Sequence, residues 1–174
     1  MTDTRAPPPV IGIAGWKNSG KTTLAERLIA ELTRRSLRIA SVKHAHHSFD
    51  IDHAGTDSAR HRAAGACEVA IVSDTRIAHI RELRGAPEPG LAEILAHFAP
   101  CDLVIVEGYK TSAVAKIEVR RLSARSHEPL AGRDTHVIAI AADHPVADQR
   151  LPVFGLDDVT AIADFVVAWM SRNS

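Results

Sequence analysis

The stretch that decides the fold is Gly15-Trp16-Lys17-Asn18-Ser19-Gly20-Lys21-Thr22-Thr23. It fits the pattern G-x-x-x-x-G-K-[ST], in which a glycine-rich turn cradles the phosphates of a nucleotide. Before it, residues 10–14 form a short apolar run typical of a buried strand. After it, Leu24, Leu28 and Leu32 recur at helical spacing. A strand, a glycine-rich turn and a helix in this order predict a P-loop.

The predicted P-loop has the chemistry of a phosphate site. Gly15 and Gly20 allow a tight turn, so that the amides of residues 18–21 point towards phosphate oxygens. The helix N-terminus adds unpaired N–H groups and a partial positive charge. We expect Lys21 to reach the β- and γ-phosphates and the Thr22 hydroxyl to bind Mg²⁺. The nucleotide-binding residues predicted here are Gly15, Lys17, Asn18, Ser19, Gly20, Lys21, Thr22 and Thr23.

The length of the chain predicts one domain. The chain has 174 residues, for which we expect a flexible lead-in at 1–9 and a single nucleotide-binding domain at 10–174. Lys+Arg and Asp+Glu both number 21, so no overall basic charge indicates nucleic-acid binding. No apolar run approaches membrane-spanning length, and Cys67 and Cys101 form no disulfide framework. We therefore expect a cytoplasmic protein in which both thiols are buried and inert.

Strand and helix patterns alternate along the rest of the chain. Residues 38–43, 102–108, 117–119, 136–141 and 152–154 resemble strands, and the last helix is expected to begin at Asp157 or Asp158. Residues 69–80 predict an antiparallel hairpin, and residues 91–98 predict an amphipathic helix that Pro100 ends. The predicted fold class is α/β: a P-loop NTPase with a mostly parallel, twisted sheet flanked by helices.

Glu107 is the second strong feature, because it ends a continuous apolar strand downstream of the P-loop. P-loop proteins place the carboxylate that holds or orients Mg²⁺ at such a position. We predict Lys21 and Glu107 as the catalytic residues and Thr22 and Glu107 as the metal-binding residues. Gly108 and Lys110 follow Glu107 and are expected at the rim of the site.

Residues 43–62 are polar, rich in histidine and without clear periodicity, which is typical of a functional loop. Its acids could join the magnesium shell and its basic residues could meet phosphate charge, or its histidines could bind a transition metal. A solvated loop with incidental histidines is the alternative. The predicted site-lining residues of this segment are Lys43, His44, His47, Asp50, Asp52, Asp57 and Arg60.

Two further elements have two interpretations each. Arg120, Arg121 and Arg125 could close over the phosphates as a lid, or form a solvated basic surface. Asp143 ends a strand at the edge where open α/β sheets bind ligands. There it could bind a guanine N1–H and amino group, or it could cap the following loop.

These residues together resemble the MobB-type adapter proteins of molybdopterin-guanine dinucleotide biosynthesis. The resemblance rests on the P-loop, on the segment from Lys43-His44 to Arg62, on Val106-Glu107-Gly108-Tyr109-Lys110 and on Lys116-Ile117-Glu118-Val119. It covers the chain from Val10 onwards. In one respect the chain differs from some dimeric P-loop GTPases: Trp16 stands where those proteins carry a second lysine, which argues against a trans-acting Lys17.

The resemblance implies a GTP-binding, cytoplasmic homodimer with weak Mg²⁺-dependent GTPase activity. Such a protein assists a guanylyltransferase that attaches GMP to molybdopterin, and molybdopterin would reach it through that partner. Slow hydrolysis agrees with the sequence, in which no residue stands out as an efficient water-activating base. Two other functions remain open from the residues alone: a small-molecule kinase, and a metal-delivery GTPase that uses the histidines of residues 44–61.

Overall fold

In the computed structural model, which describes residues 8–45, 49–146 and 150–173, the P-loop sequence lies between strand β1 (Val10–Ala14) and helix α1 (Lys21–Arg34). The described residues fall into two compact units. One lies within Met1–His44 and Phe98–Ser174, and we call it the sheet unit. The other lies within Ala45–His97, and we call it the hairpin unit. The single domain expected from the sequence stays a prediction.

The sheet unit contains a parallel sheet of six strands. Besides β1 they are β2 (Ile39–Lys43), β5 (Leu103–Glu107), β6 (Ala115–Arg120), β7 (Val137–Ala142) and β8 (Val153–Gly155). Their order across the sheet is β2-β5-β1-β6-β7-β8, and every pair is parallel. Since β1 lies between β5 and β6, the residues that follow these strands surround the P-loop at the carboxyl edge. The predicted parallel sheet is confirmed.

The core of this unit lies between one face of the sheet and two helices, α1 and α4 (Val159–Arg172). Leu24, Leu28 and Leu32 of α1 are buried against alternate residues of the strands, as their helical spacing predicts. Asp158 caps α4 by accepting a hydrogen bond from the Ala161 N–H. This packing fixes the N-terminus of α1 at the carboxyl edge of the sheet.

The hairpin unit contains α2 (Asp57–Ala63), β3 (Glu68–Val72), β4 (Ile77–Arg81) and α3 (Leu91–Leu95). The two strands pair in antiparallel register, with Val72 opposite Ile77, so the predicted hairpin is confirmed.

Two expectations for this unit are wrong. Helix α3 ends at Leu95 rather than near Phe98, because none of its residues is buried to stabilise a further turn. Cys67 is exposed, whereas Cys101 is buried as expected. The reason is that Cys67 precedes a strand in which only Val69 is buried, so this segment has little core to enter. Within the described ranges, no helix is long and apolar enough to span a bilayer.

Candidate functional site

The P-loop turn has no room for a side chain at Gly15. At Gly15 the backbone has φ +156°, and a Cβ atom there would lie 2.6 Å from both Ser19 Oγ and Val119 O. The Ser19 N–H donates to Trp16 O across the turn at 3.1 Å. Gly20 is the N-cap of α1 and provides no side-chain hydrogen bond to the helix. The first-turn N–H groups of α1 are therefore available to an anion.

Lys21 begins α1 and turns back over this loop. Its Nζ donates to Trp16 O at 2.8 Å. Burial lowers the pKa of Lys21 below its usual 10.5, and the nearby positive charges of Lys110 and Lys43 lower it further, while Glu107 opposes them. Positive charge thus accumulates at the loop, which favours an anionic ligand.

Thr22 and Glu107 are brought together from distant parts of the sequence. The Thr22 hydroxyl donates to Glu107 Oε1 at 2.7 Å. Glu107 ends β5, where it lies opposite Ile13 of β1 and Lys43 of β2. The Lys43 ammonium lies 3.6 Å from Glu107 Oε2. The sheet register therefore places a hydroxyl, a carboxylate and a lysine beside the first turn of α1.

The turn after Glu107 requires glycine. Gly108 has φ +97°, and a Cβ atom there would lie 2.9 Å from His44 Cβ. The His44 N–H donates to Glu107 O at 2.9 Å, and its ring centroid lies 4.8 Å from that of Tyr109. Lys110 follows with its Nζ 4.0 Å from the centroid of the Trp16 ring. Lys110 thus contacts the P-loop, while Gly108 and His44 lie beside Glu107; their assignment to the site stays a prediction.

A cavity of about 310 Å³ opens beside Thr22 and Glu107. Its wall is mostly apolar and lies between α1 and the edge strand β2. Its lining residues are Thr22, Ala25, Glu26, Ile29, Ser41, Val42, Lys43, Ile105 and Glu107.

The segment after β6 also runs beside the P-loop. The Arg121 guanidinium carbon lies 3.4 Å from where a Cβ atom on Gly20 would be, and the Arg125 N–H donates to Lys17 O at 3.0 Å. Arg120 is instead paired with the buried Glu118 at 2.8 Å. The three arginines therefore do not act alike: Arg121 lies at the loop, whereas Arg120 is used to anchor its own segment.

Asp143 follows β7 and binds the same segment. Its Oδ1 accepts from the Leu122 N–H at 3.0 Å and lies 2.8 Å from His144 Nδ1, and its Oδ2 lies 3.8 Å from Arg121 Nε. The hydrogen bond with His144 holds the pKa of Asp143 below its usual 3.8 against the opposing effect of burial. The carboxylate thus secures the segment after β6, and its role in guanine recognition stays a prediction.

Three acids of the hairpin unit, Asp50, Asp52 and Glu82, are paired with Arg62 of the same unit. Asp52 accepts from Thr56 Oγ1 at 2.7 Å and from Ser58 Oγ at 3.0 Å. Arg62 lies 3.3 Å from Asp52, 3.3 Å from Asp50 and 2.8 Å from Glu82. These contacts hold this part of the chain together internally.

Two of the other predicted lining residues in this segment, Asp57 and Arg60, form an exposed ion pair at 3.4 Å. His47 and its neighbour His46 lie outside the described residues. Among the described residues, no group of three His, Cys, Asp or Glu side chains could hold a metal ion. The assignment of these residues to the site stays a prediction.

Sequence reasoning missed the roles of Lys116 and Glu118. Both are 1% exposed, on the face of β6 opposite the helical core. Lys116 Nζ donates to Asp134 Oδ2 and to Ser112 O, both at 2.6 Å. Glu118 accepts from the N–H groups of residues 130 and 131 at 2.9 and 2.8 Å. Their alternation with apolar residues is typical of a solvated strand face, and their partners are remote in sequence, so only the fold reveals them.

Comparison with known proteins adds the family. A family model described as MobB, molybdopterin guanine dinucleotide synthesis protein B, matches residues 10–143. The chain belongs to this family. The match spans the P-loop, Glu107 and the buried β6 pair, so the site described above lies within the family's shared region.

Individual members are similar over nearly the whole chain. The molybdopterin-guanine dinucleotide biosynthesis adapter protein of Escherichia coli K12 is 36% identical over 168 residues, which cover 95% of both chains. Its namesake in Haemophilus influenzae is 36% identical over 165 residues, covering 93% of this chain and 89% of that protein.

Solved structures of the family have the same fold. The crystal structure of a MobB homologue from Bacillus stearothermophilus superposes with a TM-score of 0.70 at 28% identity, covering 94% of this chain and 98% of the other. Bacillus subtilis MobB gives a TM-score of 0.71 at 27% identity, with coverages of 92% and 96%. The predicted P-loop NTPase-like α/β fold is confirmed.

Proposed function

We propose that this chain binds GTP and Mg²⁺ at the P-loop, hydrolyses GTP slowly, and acts as an adapter for a guanylyltransferase that attaches GMP to molybdopterin. The observation that carries the proposal is the 2.7 Å contact between Thr22 Oγ1 and Glu107 Oε1. It joins the first helical turn after the P-loop to the acidic end of the neighbouring strand. This is the pairing of hydroxyl and carboxylate that P-loop NTPases use around Mg²⁺.

Phosphate binding is supported by three features of the loop. The N-terminus of α1 has no side-chain cap, so its amides can bind an anion. Lys21 needs to give up only a backbone carbonyl to bind a phosphate oxygen. Ser19 is 1% exposed, and its hydroxyl has no hydrogen-bond partner among the described residues. A phosphate oxygen would accept a hydrogen bond from the Ser19 hydroxyl. A buried hydroxyl without a partner destabilises the fold.

The metal donor set fits Mg²⁺. Thr22 and Glu107 offer a hydroxyl and a carboxylate oxygen, and Mg²⁺ prefers such oxygen ligands together with water and substrate phosphates. A Mg²⁺ ion held by Thr22 and Glu107 would supply positive charge to the phosphates. Lys43, 3.6 Å from Glu107 Oε2, orients the carboxylate from the side away from Thr22.

The chain's own contribution to hydrolysis is positioning and charge. Lys21 holds the terminal phosphates in place and stabilises the negative charge that grows on the leaving group. Glu107 is already bound to Thr22 and Lys43, so it is placed to orient groups rather than to accept a proton from water. Slow turnover follows from this arrangement.

The guanine base is assigned to the side of the sheet where Asp143 lies. Asp143 follows β7, which is separated from β1 only by β6. A carboxylate can accept hydrogen bonds from both N1–H and the 2-amino group of guanine, a pair that adenine does not offer. To do so, Asp143 exchanges its contacts with Leu122 and His144 for contacts with the base.

The adapter role is supported by the names of the relatives, which are adapter proteins of molybdopterin-guanine dinucleotide biosynthesis. Exposed apolar side chains of the hairpin unit offer surface for a partner or for a second copy in a homodimer. They are Phe49, Ile51, Ile71, Val72, Ile77 and Leu83. Sedimentation of the chain alone and with a guanylyltransferase tests both associations, and a strictly monomeric chain that binds no such enzyme contradicts them.

Calorimetric titration with GTP, ATP and ITP, each with and without Mg²⁺, tests the nucleotide assignment. We expect GTP to bind best, ITP more weakly because it lacks the 2-amino group, and ATP least. A clear preference for ATP overturns the GTPase proposal and favours a kinase. Equal binding of GTP and ITP overturns the recognition of the 2-amino group by Asp143.

A further inference from the structure

Trp16 contacts the ammonium groups of two lysines. Its backbone carbonyl accepts a hydrogen bond from Lys21 Nζ at 2.8 Å. Lys110 Nζ lies over its ring, 4.0 Å from the centroid, in a cation–π contact. Lys21 comes from α1 and Lys110 from the turn after β5, so two separate elements place positive charge at the second residue of the P-loop.

The Trp16 ring has a fixed orientation. Its Nε1 donates to Glu128 O at 2.6 Å, and the backbone of the next residue, Lys17, accepts from the Arg125 N–H at 3.0 Å. Both partners belong to the segment after β6. Because the ring is held at its edge by this segment, its face is a preset platform for Lys110.

Lys110 is fixed from its own side as well. Gly108 and Tyr109 both have positive φ, +97° and +46°, which turns the chain sharply after Glu107. Ser112 closes this turn with two hydrogen bonds to Tyr109 O, from its N–H at 3.0 Å and from its Oγ at 2.7 Å. A strained, hydrogen-bonded turn is thus used to bring this one side chain back to the P-loop.

The two ammonium groups affect one another. Burial lowers the pKa of Lys110, and Lys110 is the largest charge effect that lowers the pKa of Lys21. Two like charges held close together in a partly desolvated site favour an anion that binds both. The Lys21 ammonium marks the side of the loop that faces the β- and γ-phosphates.

We propose that Lys110 is a second phosphate-binding residue, which contacts the β- or γ-phosphate together with Lys21, and that Trp16 is the positioning residue that holds it at the site. This inference rests on the proposed binding of a nucleoside triphosphate. It assigns a phosphate contact to a residue that lies outside the P-loop, in the turn after β5.

The test is titration of Lys110→Met with GTP, GDP and GMP in the presence of Mg²⁺. We expect the affinity for GTP to fall about ten-fold or more, as for the loss of a charge-assisted hydrogen bond, and the affinity for GMP to stay within about two-fold. Lys110→Arg, which keeps the charge and stacks on the ring, should retain most of the GTP affinity. Arg34→Met is the matched control, since it removes a positive charge at the far end of α1, about 20 Å away along the helix.

A double-mutant cycle tests the role of Trp16. Trp16→Leu should weaken GTP binding when Lys110 is present and have little further effect in the Lys110→Met background. Additive losses would show that Trp16 acts independently of Lys110. If the leucine variant does not fold, Trp16→Phe removes the Nε1 hydrogen bond to Glu128 O that fixes the ring, and a smaller loss of GTP affinity that again depends on Lys110 is expected.

Failure of this inference can be told apart from failure of the proposed function. If the unmodified chain binds GTP and Lys110→Met binds it equally well, or loses GTP and GMP alike, Lys110 is not a β- or γ-phosphate ligand. If the unmodified chain prefers ATP, the guanine assignment fails, and the same variants titrated with ATP, ADP and AMP decide the role of Lys110. If it binds no nucleotide, both fail.

Discussion

Lys21 and Lys116 lie in the same unit and are both held by a backbone carbonyl, yet their surroundings differ. Lys116 is 1% exposed, and its ammonium lies 2.6 Å from both Ser112 O and Asp134 Oδ2. Lys21 donates to Trp16 O, and among the described residues no carboxylate forms an ion pair with it. One charge is neutralised within the fold, whereas the other is left for a ligand.

This difference separates charged side chains that stabilise the fold from those that can bind a ligand. At the P-loop, the charges that act on Lys21 are those of two more lysines, Lys110 and Lys43, and of one carboxylate, Glu107. Around Arg62 in the hairpin unit the ratio of positive to negative groups is reversed. Three carboxylates, those of Asp50, Asp52 and Glu82, contact this one arginine. An excess of positive charge in a preformed loop therefore marks the binding site better than the number of charged residues does.

The largest expected effect is that of Lys21→Ala on nucleotide binding. We expect GTP affinity to fall by on the order of 100-fold or more, which abolishes measurable binding, because charge-assisted contacts to the terminal phosphates are lost. The melting temperature without nucleotide should change little, since Trp16 O can be hydrated instead. Titration calorimetry and thermal melts measure the two effects. Unchanged affinity would remove the basis of the nucleotide-binding proposal.

Lys116→Met is the matched counterpart, because it removes the same residue type from a neutralised position. It leaves Asp134 and Ser112 O without their buried partner, so we expect the melting temperature to fall by several degrees. GTP affinity of the folded protein should remain within about two-fold. A variant that melts normally but loses GTP affinity would place Lys116 in the binding site and end the contrast with Lys21.

Glu107→Gln tests the carboxylate that contacts Thr22. Glutamine can still accept from Thr22 but carries no charge for Mg²⁺, so we expect the rate of GTP hydrolysis to fall about ten-fold or more. GTP binding in EDTA should be unchanged or stronger, because a negative charge near the phosphates is removed. Hydrolysis and binding assays with and without Mg²⁺ make this comparison. Equal loss in both conditions would indicate a structural rather than a metal-binding role.

The sequence predicts the sheet and the centre of the site well, for physical reasons. The P-loop pattern, the apolar strands and the helical leucine spacing are local signals, and they lead to β1, α1 and the end of β5 correctly. The approach of Glu107 to Thr22 follows because the carboxyl ends of neighbouring parallel strands meet at one edge. Local sequence pattern and the geometry of a parallel sheet are together sufficient to predict the contact between Thr22 and Glu107.

The remaining parts of the site depend on contacts between residues remote in sequence. Lys110 lies at Trp16 only because of the turn at Gly108, and Arg121 reaches Gly20 only because β6 is the neighbour of β1. The exposed Cys67 and the short α3 were mispredicted because a hairpin with little core does not bury its apolar residues. Residue type alone does not reveal which charges are neutralised.

Arg62 and Arg60 repeat the lysine comparison within α2. Arg62 bridges three carboxylates, whereas Arg60 forms one exposed pair with Asp57. We expect Arg62→Met to lower the stability of the hairpin unit, seen as faster amide exchange in residues 57–82, and Arg60→Met to leave it nearly unchanged. Equal effects of the two variants would show that the number of carboxylate partners does not decide which arginine is structural.

The smallest expected effect is a dependence of stability on pH that comes from the Lys116–Asp134 pair. Burial acts to raise the pKa of Asp134, but the Lys116 ammonium and hydrogen bonds from His136 outweigh it and hold the pKa at about 2, below the usual 3.8. A carboxyl group with a depressed folded-state pKa stabilises the fold above its unfolded-state pKa, and this contribution is lost as the pH falls from about 4 to 2.

Glu31 complicates this measurement, because Arg34 and Arg35 also lower its pKa to about 2. Arg34 is 71% exposed and Lys116 is 1% exposed, so 1 M salt screens the Glu31–Arg34 pair more than the Lys116–Asp134 pair. In 1 M NaCl we therefore expect Glu31→Gln to make the acid-unfolding curve less shallow than Lys116→Met does. If the Lys116→Met curve were as steep as the unmodified one, Asp134 would titrate normally in the folded state, and Lys116 could no longer be regarded as the neutralised counterpart of Lys21.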